Sequence, residues 1–243
     1  MSSPRFFSDV PLTSNSSITL PATAANHAIK VLRLQVGDAL RLFNGDGHDY
    51  SAEIETIRKN EVIVKTGQAI AVSNESRLKI TLAQGISAGD RMDFTIQKSV
   101  ELGIHAIQPI SCQRSVVKLS GDRADKRREH WQNVAISACE QSGRAFLPEV
   151  GQATSLAKWL SSAPPFATRI TLDPLASTRL QDLPLPQGPI CLLIGPEGGL
   201  TSEEIAMAAS QGFTGVQLGP RILRTETAAL AALAAINTVW GDF

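Results

Sequence analysis

The sequence predicts an α/β protein in two parts, a small N-terminal β-barrel-like domain over residues 1–73 and a larger α/β domain over residues 74–243. Three observations predict it. Short alternating apolar and polar runs fill the first seventy residues, with turn dipeptides between them. After the polar stretch Val72-Ser73-Asn74-Glu75-Ser76-Arg77 the period changes, and strand-like runs alternate with helix-like ones. Late in the chain, Ile190-Cys191-Leu192-Leu193-Ile194 is apolar throughout, as in a strand buried on both faces of a mainly parallel sheet. With 243 residues, 43% of them apolar, the chain can bury two modest cores.

In the first part, Ser17-Ile18-Thr19-Leu20 reads as a short strand. Ala24 to Leu34 follows as a helix with Ala25, Ile29 and Leu32 on one face. Ala39 to Phe43 alternates into Asn44-Gly45-Asp46-Gly47, two consecutive turn dipeptides that signal a hairpin. Its return strand is Tyr50 to Ile57, and Glu61 to Ile70 adds another. In the second part, Leu78 to Ala83 reads as a strand. Asp90 to Leu102 is a helix stopped by Gly103, and Ile104 to Ile110 a strand. Lys126 to Gln141 is a long helix carrying Trp131, Val134, Ala135, Ala138 and Cys139 on one side. Arg169 to Leu172 and Ile190 to Ile194 are strands, Ser202 to Ser210 a helix, Gly215 to Leu218 a strand, and about Glu226 to Thr238 a closing helix.

Lys plus Arg and Asp plus Glu both number 23, which excludes a uniformly basic coat protein and a polyacidic disordered chain. A local basic patch stays open. Arg114, Lys118, Arg123, Lys126, Arg127 and Arg128 face only Asp122 and Asp125, either as a solvated helix face or as an anion-binding edge. Cys112, Cys139 and Cys191 lie far apart, and His27, His48, His105 and His130 are equally scattered. No metal site and no disulfide framework can be read from them, so the setting expected is a reducing cytoplasm. The N-terminus has no apolar core of signal-peptide length, and no run of about 18 apolar residues suggests a membrane span.

Two segments concentrate chemistry. In Leu193-Ile194-Gly195-Pro196-Glu197-Gly198-Gly199-Leu200-Thr201 a buried strand enters a glycine-rich turn, and Thr201 with Glu204 forms a capping box that opens a helix. Glycines at the carboxyl end of such a strand let backbone approach a ligand, although a tight turn without one fits the same pattern. The phosphate-binding loop and the dinucleotide fingerprint are both absent. The second segment, Leu218-Gly219-Pro220-Arg221-Ile222-Leu223-Arg224-Thr225-Glu226-Thr227-Ala228, also follows a strand and opens a helix, so it belongs at the same end of the sheet. A structural alternative there is an Arg224–Glu226 ion pair with Thr225 or Thr227 as helix cap.

Together these two segments resemble the RsmE family of SPOUT-class methyltransferases, which methylate N3 of one uridine in small-subunit (16S) ribosomal RNA. The resemblance extends to Arg5-Phe6-Phe7, to His27 with Val31-Leu32-Arg33, to Phe94 through Gly103, to Gln113-Arg114-Ser115-Val116 and to Cys139-Glu140-Gln141-Ser142-Gly143-Arg144. Residues 151–189 match only loosely.

The resemblance implies a PUA-like RNA-binding domain followed by a methyltransferase domain with a C-terminal trefoil knot. It also implies S-adenosyl-L-methionine as cofactor, a homodimer, and small-subunit ribosomal RNA, within an assembled subunit, as partner, with no membrane and no metal. The cofactor would lie against Leu172, against Ile194, Gly195, Pro196, Glu197, Gly198 and Gly199, and against Leu218, Gly219, Leu223, Thr225, Thr227 and Ala228. Arg5, Arg33, Lys98 and Arg114 would hold RNA, since arginine pairs bidentately with phosphate and stacks on bases. Arg224 and Arg144 would stabilise charge on the target base, with Glu226 as proton acceptor or as a partner orienting Arg224. Two other readings remain: a SPOUT tRNA ribose 2′-O-methyltransferase, whose last loop typically carries a Ser-Leu-Asn-type motif that is absent here, and a non-enzymatic RNA-binding dimer.

Overall fold

In the computed structural model, which describes residues 3–59 and 61–243, the change of hydrophobic period separates two units. One holds the chain up to Glu75 together with Cys139–Leu147, a segment that the linear reading left with the second part. The other holds Ser76–Ala138 and Pro148–Phe243.

The first unit is a five-stranded mixed sheet of β1 (Arg5–Phe7), β2 (Ser17–Thr19), β3 (Ala39–Phe43), β4 (His48–Arg58) and β5 (Glu61–Ala71) in the order β1-β3-β4-β5-β2. Only β1 and β3 run parallel. The Asn44 to Gly47 turn joins β3 to β4 as expected, and Asp46 accepts the Tyr50 hydroxyl at 2.7 Å. Alternation then sends Leu40, Leu42, Ile54, Val62 and Val64 into one core. The helix expected over Ala24 to Leu34 is different. Helix α1 (Ala22–Asn26) passes into a single π turn over His27–Val31, and the wider turn changes the phase of the side chains. Ala24, Ala25 and Ala28 are buried as a result, while Leu32 is exposed and Arg33 follows at φ 56°.

The second unit is a parallel sheet of β6 (Ile80–Gly85), β7 (Ala106–Ser111), β8 (Glu149–Val150), β10 (Thr168–Leu172), β11 (Ile190–Ile194) and β12 (Thr214–Val216). Its order is β12-β10-β11-β6-β7-β8, with β9 (Thr154–Ser155) also on β7. The helices are α2 (Asp90–Glu101), α3 (Asp122–Ser142, whose last turn clusters with the first unit), α4 (Leu156–Ser162), α5 (Ser202–Ser210) and α6 (Thr225–Trp240). All five residues of β11 are buried. Cys191 and Leu193 join Trp159, Leu160, Ala208 and Phe213 on one face, so Ile190, Leu192 and Ile194 point to the other. Helix α6 packs against β11 and α2. Strands β8 and β9 and helix α4 had no counterpart in the sequence reading, because two-residue strands carry no period and α4 is a seven-residue helix next to a proline pair.

The topology places the site. β10 lies between β11 and β12, so the segments leaving β11 and β12 emerge at the same end of the sheet on either side of Leu172. No helix among the described residues is long and apolar enough to cross a membrane.

Candidate active site

The segment after β11 is fastened at every turn. Thr201 and Glu204 form the expected capping box at the start of α5. Glu204, 4% exposed, also accepts the Gln113 N–H at 2.8 Å, which ties the segment after β7 to this one. Arg114 is thereby aimed at the glycines, and its Nη1 donates to the Gly198 and Leu200 carbonyls at 3.0 and 3.4 Å. On the other side the Glu197 carboxylate accepts the Ala88 N–H at 2.8 Å and Arg91 Nη1 at 3.0 Å. Partial burial pushes the Glu197 pKa up, but the Ala88 N–H, its own N–H and Arg91 outweigh this and hold it below the usual carboxylate range. Gly195 is required by close approach, since a Cβ there would stand 2.8 Å from the Leu200 nitrogen. Gly199 sits at φ 69°, in the left-handed region that side chains resist.

The segment after β12 is open by contrast. Arg221, Ile222 and Arg224 are exposed, Ile222 at 86%, and the described residues offer no hydrogen bond or ion pair to either arginine side chain. The N-cap of α6 is Arg224, with no side-chain cap. Thr225 does not cap the helix through its side chain: its hydroxyl donates to the Gly195 carbonyl at 2.6 Å and accepts Gln84 Nε2 at 2.9 Å. Glu226, in the first turn, keeps Oε2 buried without a hydrogen-bond partner among the described residues.

Between the two segments lies a cavity of about 420 Å³. Of the residues expected at a cofactor, the walls include Leu172, Ile194 to Gly199, Leu218, Gly219, Leu223, Thr225 and Ala228. Thr227, Arg224 and Glu226 are not in the lining; Thr227 and Arg224 are exposed and Glu226 is half-buried beside them on α6. Arg114, Asp173, Pro174, Arg221 and Ile222 line it as well. The size and chemistry fit S-adenosylmethionine: aliphatic side chains and glycine backbone for an adenine, and charges of both signs among the lining residues, Asp173 and Arg221, for an amino-acid end.

The remaining expected residues lie elsewhere. Arg5 gives Nε and Nη2 to Asp49 at 3.1 and 2.6 Å and Nη1 to the Cys139 carbonyl at 2.7 Å, with its guanidinium 4.5 Å from the centre of the Phe43 ring. Arg144, 4% exposed, gives Nε and Nη2 to Glu75 at 3.0 and 2.6 Å in the first unit. Arg33 is exposed in the first unit, and Lys98 on α2 pairs with Glu101 at 2.7 Å. In the basic run, Arg128 donates to the Val150 carbonyl and Arg127 lies over Trp131, which leaves Lys118, Arg123 and Lys126 exposed. The sequence reading missed Gln84 and Asp173, singled out Arg221 only as part of its segment, and assigned Arg114 to RNA alone. A polar residue near the carboxyl end of an apolar strand was the available signal for Gln84.

Residues 74–237 match the model of the RNA methyltransferase domain family, and residues 20–67 that of the RNA methyltransferase PUA domain. Ribosomal RNA small subunit methyltransferase E from Buchnera aphidicola (subsp. Schizaphis graminum) is 35% identical over 239 residues, covering 98% of this chain and 97% of that one. The Bacillus subtilis protein of the same name is 34% identical over 229 residues, 91% of this chain and 90% of its own. Among solved structures, ribosomal RNA small subunit methyltransferase E from Neisseria gonorrhoeae bound to S-adenosyl methionine superposes with a TM-score of 0.93 at 42% identity over all of both chains. A Legionella pneumophila protein in complex with the bound cofactor SAM gives 0.97 at 38% identity, again over all of both chains. Two loops that fold a glycine-lined cavity at the end of a parallel sheet, full-length similarity and both family models agree: this chain belongs to the ribosomal RNA small subunit methyltransferase E family.

Proposed function

We propose that the protein transfers the methyl group of S-adenosylmethionine to N3 of one uridine in small-subunit ribosomal RNA, working as a cytoplasmic homodimer on an assembled subunit. In this reading residues 1–73 form a PUA-like barrel that holds RNA, and residues 74–243 form a SPOUT domain with a C-terminal knot. The observation that carries the proposal is the cavity between the segments after β11 and β12, in a chain that superposes at full length on a relative crystallised with that cofactor. The knot draws support from the path of the chain: after the edge strand β12 it returns to open α6 against the Gly195 carbonyl.

When bound, the cofactor supplies a methyl carbon activated by an adjacent sulfonium. The protein's task is to position the base and manage its proton. The uridine N3–H is a weak acid, and its anion spreads charge onto two flanking carbonyl oxygens. Arg224, exposed at the N-cap of α6 and without a polar partner among the described residues, offers a cation to those oxygens, reinforced by the positive end of the helix dipole. Glu226, two residues into the helix with a buried unpartnered oxygen, is assigned as proton acceptor or as orienter of Arg224. Arg144, forked onto Glu75, is assigned to holding the first unit together, and Arg5 on Asp49 likewise. Arg33 remains an RNA contact, and so does Lys98 in exchange for its pairing with Glu101.

The test is methylation of small subunits from a strain lacking this enzyme, followed by nucleoside analysis of the RNA. 3-Methyluridine at a single position is expected. A methyl group on a ribose would overturn the reaction assignment, and absence of cofactor binding by calorimetry would leave an RNA-binding dimer.

A further inference from the structure

Three chain segments that lie far apart in sequence meet at one buried hydrogen-bonded chain. Gln84, on β6 and fully buried, donates Nε2 to the Thr225 hydroxyl at 2.9 Å and to the Gly85 carbonyl at 3.0 Å. Thr225, 6% exposed, passes its own proton to the Gly195 carbonyl at 2.6 Å. The direction of each bond is fixed. An amide nitrogen donates only, so the hydroxyl must accept from Gln84, and its single proton is then committed to the carbonyl. Gly195 begins the glycine wall of the cavity, and Thr225 begins the helix that bounds its other side.

Gln84 Oε1 is buried with no hydrogen-bond partner among the described residues. An aliphatic side chain of similar volume would avoid stranding that oxygen, so the amide's contribution here lies in the bonds made by Nε2. Neither Gln84 nor the Thr225 hydroxyl is left over to recognise a ligand by direct contact through the same proton. The Gly195 carbonyl accepts that proton's hydrogen bond from the first residue of the helix. What the chain sets is the spacing between the first glycine of one segment and the first helical residue of the other, both of which line the cavity.

We propose that Gln84 and Thr225 act as a pair of positioning residues that hold the two cofactor segments at binding distance, with the Thr225 hydroxyl serving Gly195 and not the cofactor. This rests on the assignment of the cavity to S-adenosylmethionine. The pair acts before the ligand arrives, so removing it loosens the wall in the free protein and weakens binding.

The experiment compares wild type, Thr225→Ser, Thr225→Val, Gln84→Met and the double variant Gln84→Met/Thr225→Val. Calorimetry reads the affinity for S-adenosylmethionine, amide hydrogen exchange of the ligand-free protein reads the 195–200 segment, and steady-state methylation separates KM from kcat. Expected results are a tenfold or greater weakening in Thr225→Val and in Gln84→Met with faster exchange over 195–200, and, for Gln84→Met, a raised cofactor KM with kcat within threefold of wild type. Thr225→Ser keeps the hydroxyl and binds within threefold of wild type. The double variant is no weaker than the worse single variant, because the two residues act as one unit. Wild-type affinity in Thr225→Val and Gln84→Met, or a loss in Thr225→Ser equal to that in Thr225→Val, overturns the pairing. If Thr225→Val does not fold, Gln84→Met alone decides, since unchanged exchange and affinity there also overturn it. A wild-type protein that binds no S-adenosylmethionine refutes the cavity assignment instead, and the exchange data then still report whether the pair holds the wall.

Discussion

The two segments that border the cavity begin alike. Each leaves a strand of the parallel sheet, each carries a Gly-Pro step, and each runs into a helix. They are held in opposite ways. Residues 195–200 are fixed from three sides, by Glu197 on Ala88 and Arg91, by Arg114 on Gly198 and Leu200, and by Thr225 on Gly195. Residues 219–224 present Arg221, Ile222 and Arg224 to solvent with no polar partner among the described residues. Long side chains held by hydrogen bonds have already lost their rotamer freedom on folding, whereas those of the second segment lose it only when something binds. One wall is therefore preorganised for a ligand of fixed shape. The other keeps its cations available for a partner that brings its own charge.

That contrast can be broken at its strongest point first. Gly195→Val drives a side chain into the Leu200 nitrogen of the same segment, so it should abolish measurable cofactor binding by calorimetry while circular dichroism keeps the native α/β signal. A variant that binds normally would place the ligand elsewhere. Next in size, Arg224→Ala on the open side should leave cofactor affinity unchanged and lower single-turnover methylation by about a hundredfold, the usual loss for removing one charge-stabilising donor. An equal loss of cofactor affinity would move Arg224 to the preorganised wall.

Arg114 and Arg33 sharpen the contrast further. Arg114→Ala removes the bonds to two carbonyls of the glycine segment and should weaken cofactor binding about tenfold, in line with the loss of a charged hydrogen bond. Arg33→Ala should leave cofactor affinity alone and reduce the salt slope of RNA binding by about one unit. Identical behaviour of the two would erase the distinction between wall and RNA contact.

The smallest effect concerns pH. The folded protein holds the Glu197 carboxyl below its ordinary value of 4.5, so the ionised form is the one that stabilises the fold. That contribution is fully present above the ordinary carboxylate range and is lost as pH falls through the lowered value. Glu197→Gln should weaken cofactor binding only about threefold at neutral pH, the low end for altering one charged hydrogen bond. It should also reduce any acid-side decline in thermal midpoint below the ordinary carboxylate range, because the variant has no carboxylate to protonate there. A wild-type decline that persists unchanged in the variant would assign it to another carboxylate.

Much of this was legible in the chain itself. Alternation in Ala39 to Phe43, the Asn44 to Gly47 turn and the apolar run at Ile190 are local signals, and the structure bears out each of them as strand, hairpin and buried strand. The Thr201 and Glu204 capping box is equally local, since both partners lie within one helical turn. The glycine-rich segment and its companion after β12 were also visible as unusual concentrations of residue type, and the fold brings most of their residues to one cavity. What the sequence could not decide was where each side chain spends its hydrogen bonds, because those partners are distant along the chain. Thr225, expected at the cofactor with a helix cap as the alternative, lines the cavity and spends its hydroxyl on Gly195 and Gln84; Arg114, expected at RNA, braces Gly198; Arg144, expected to stabilise charge on the target base, is forked onto Glu75. Local patterns fix elements because their energy comes from neighbours within a few residues. The identity of a polar side chain's partner is settled only when the sheet order sets strands and loops side by side, and here that order placed β11 and β12 on either side of β10.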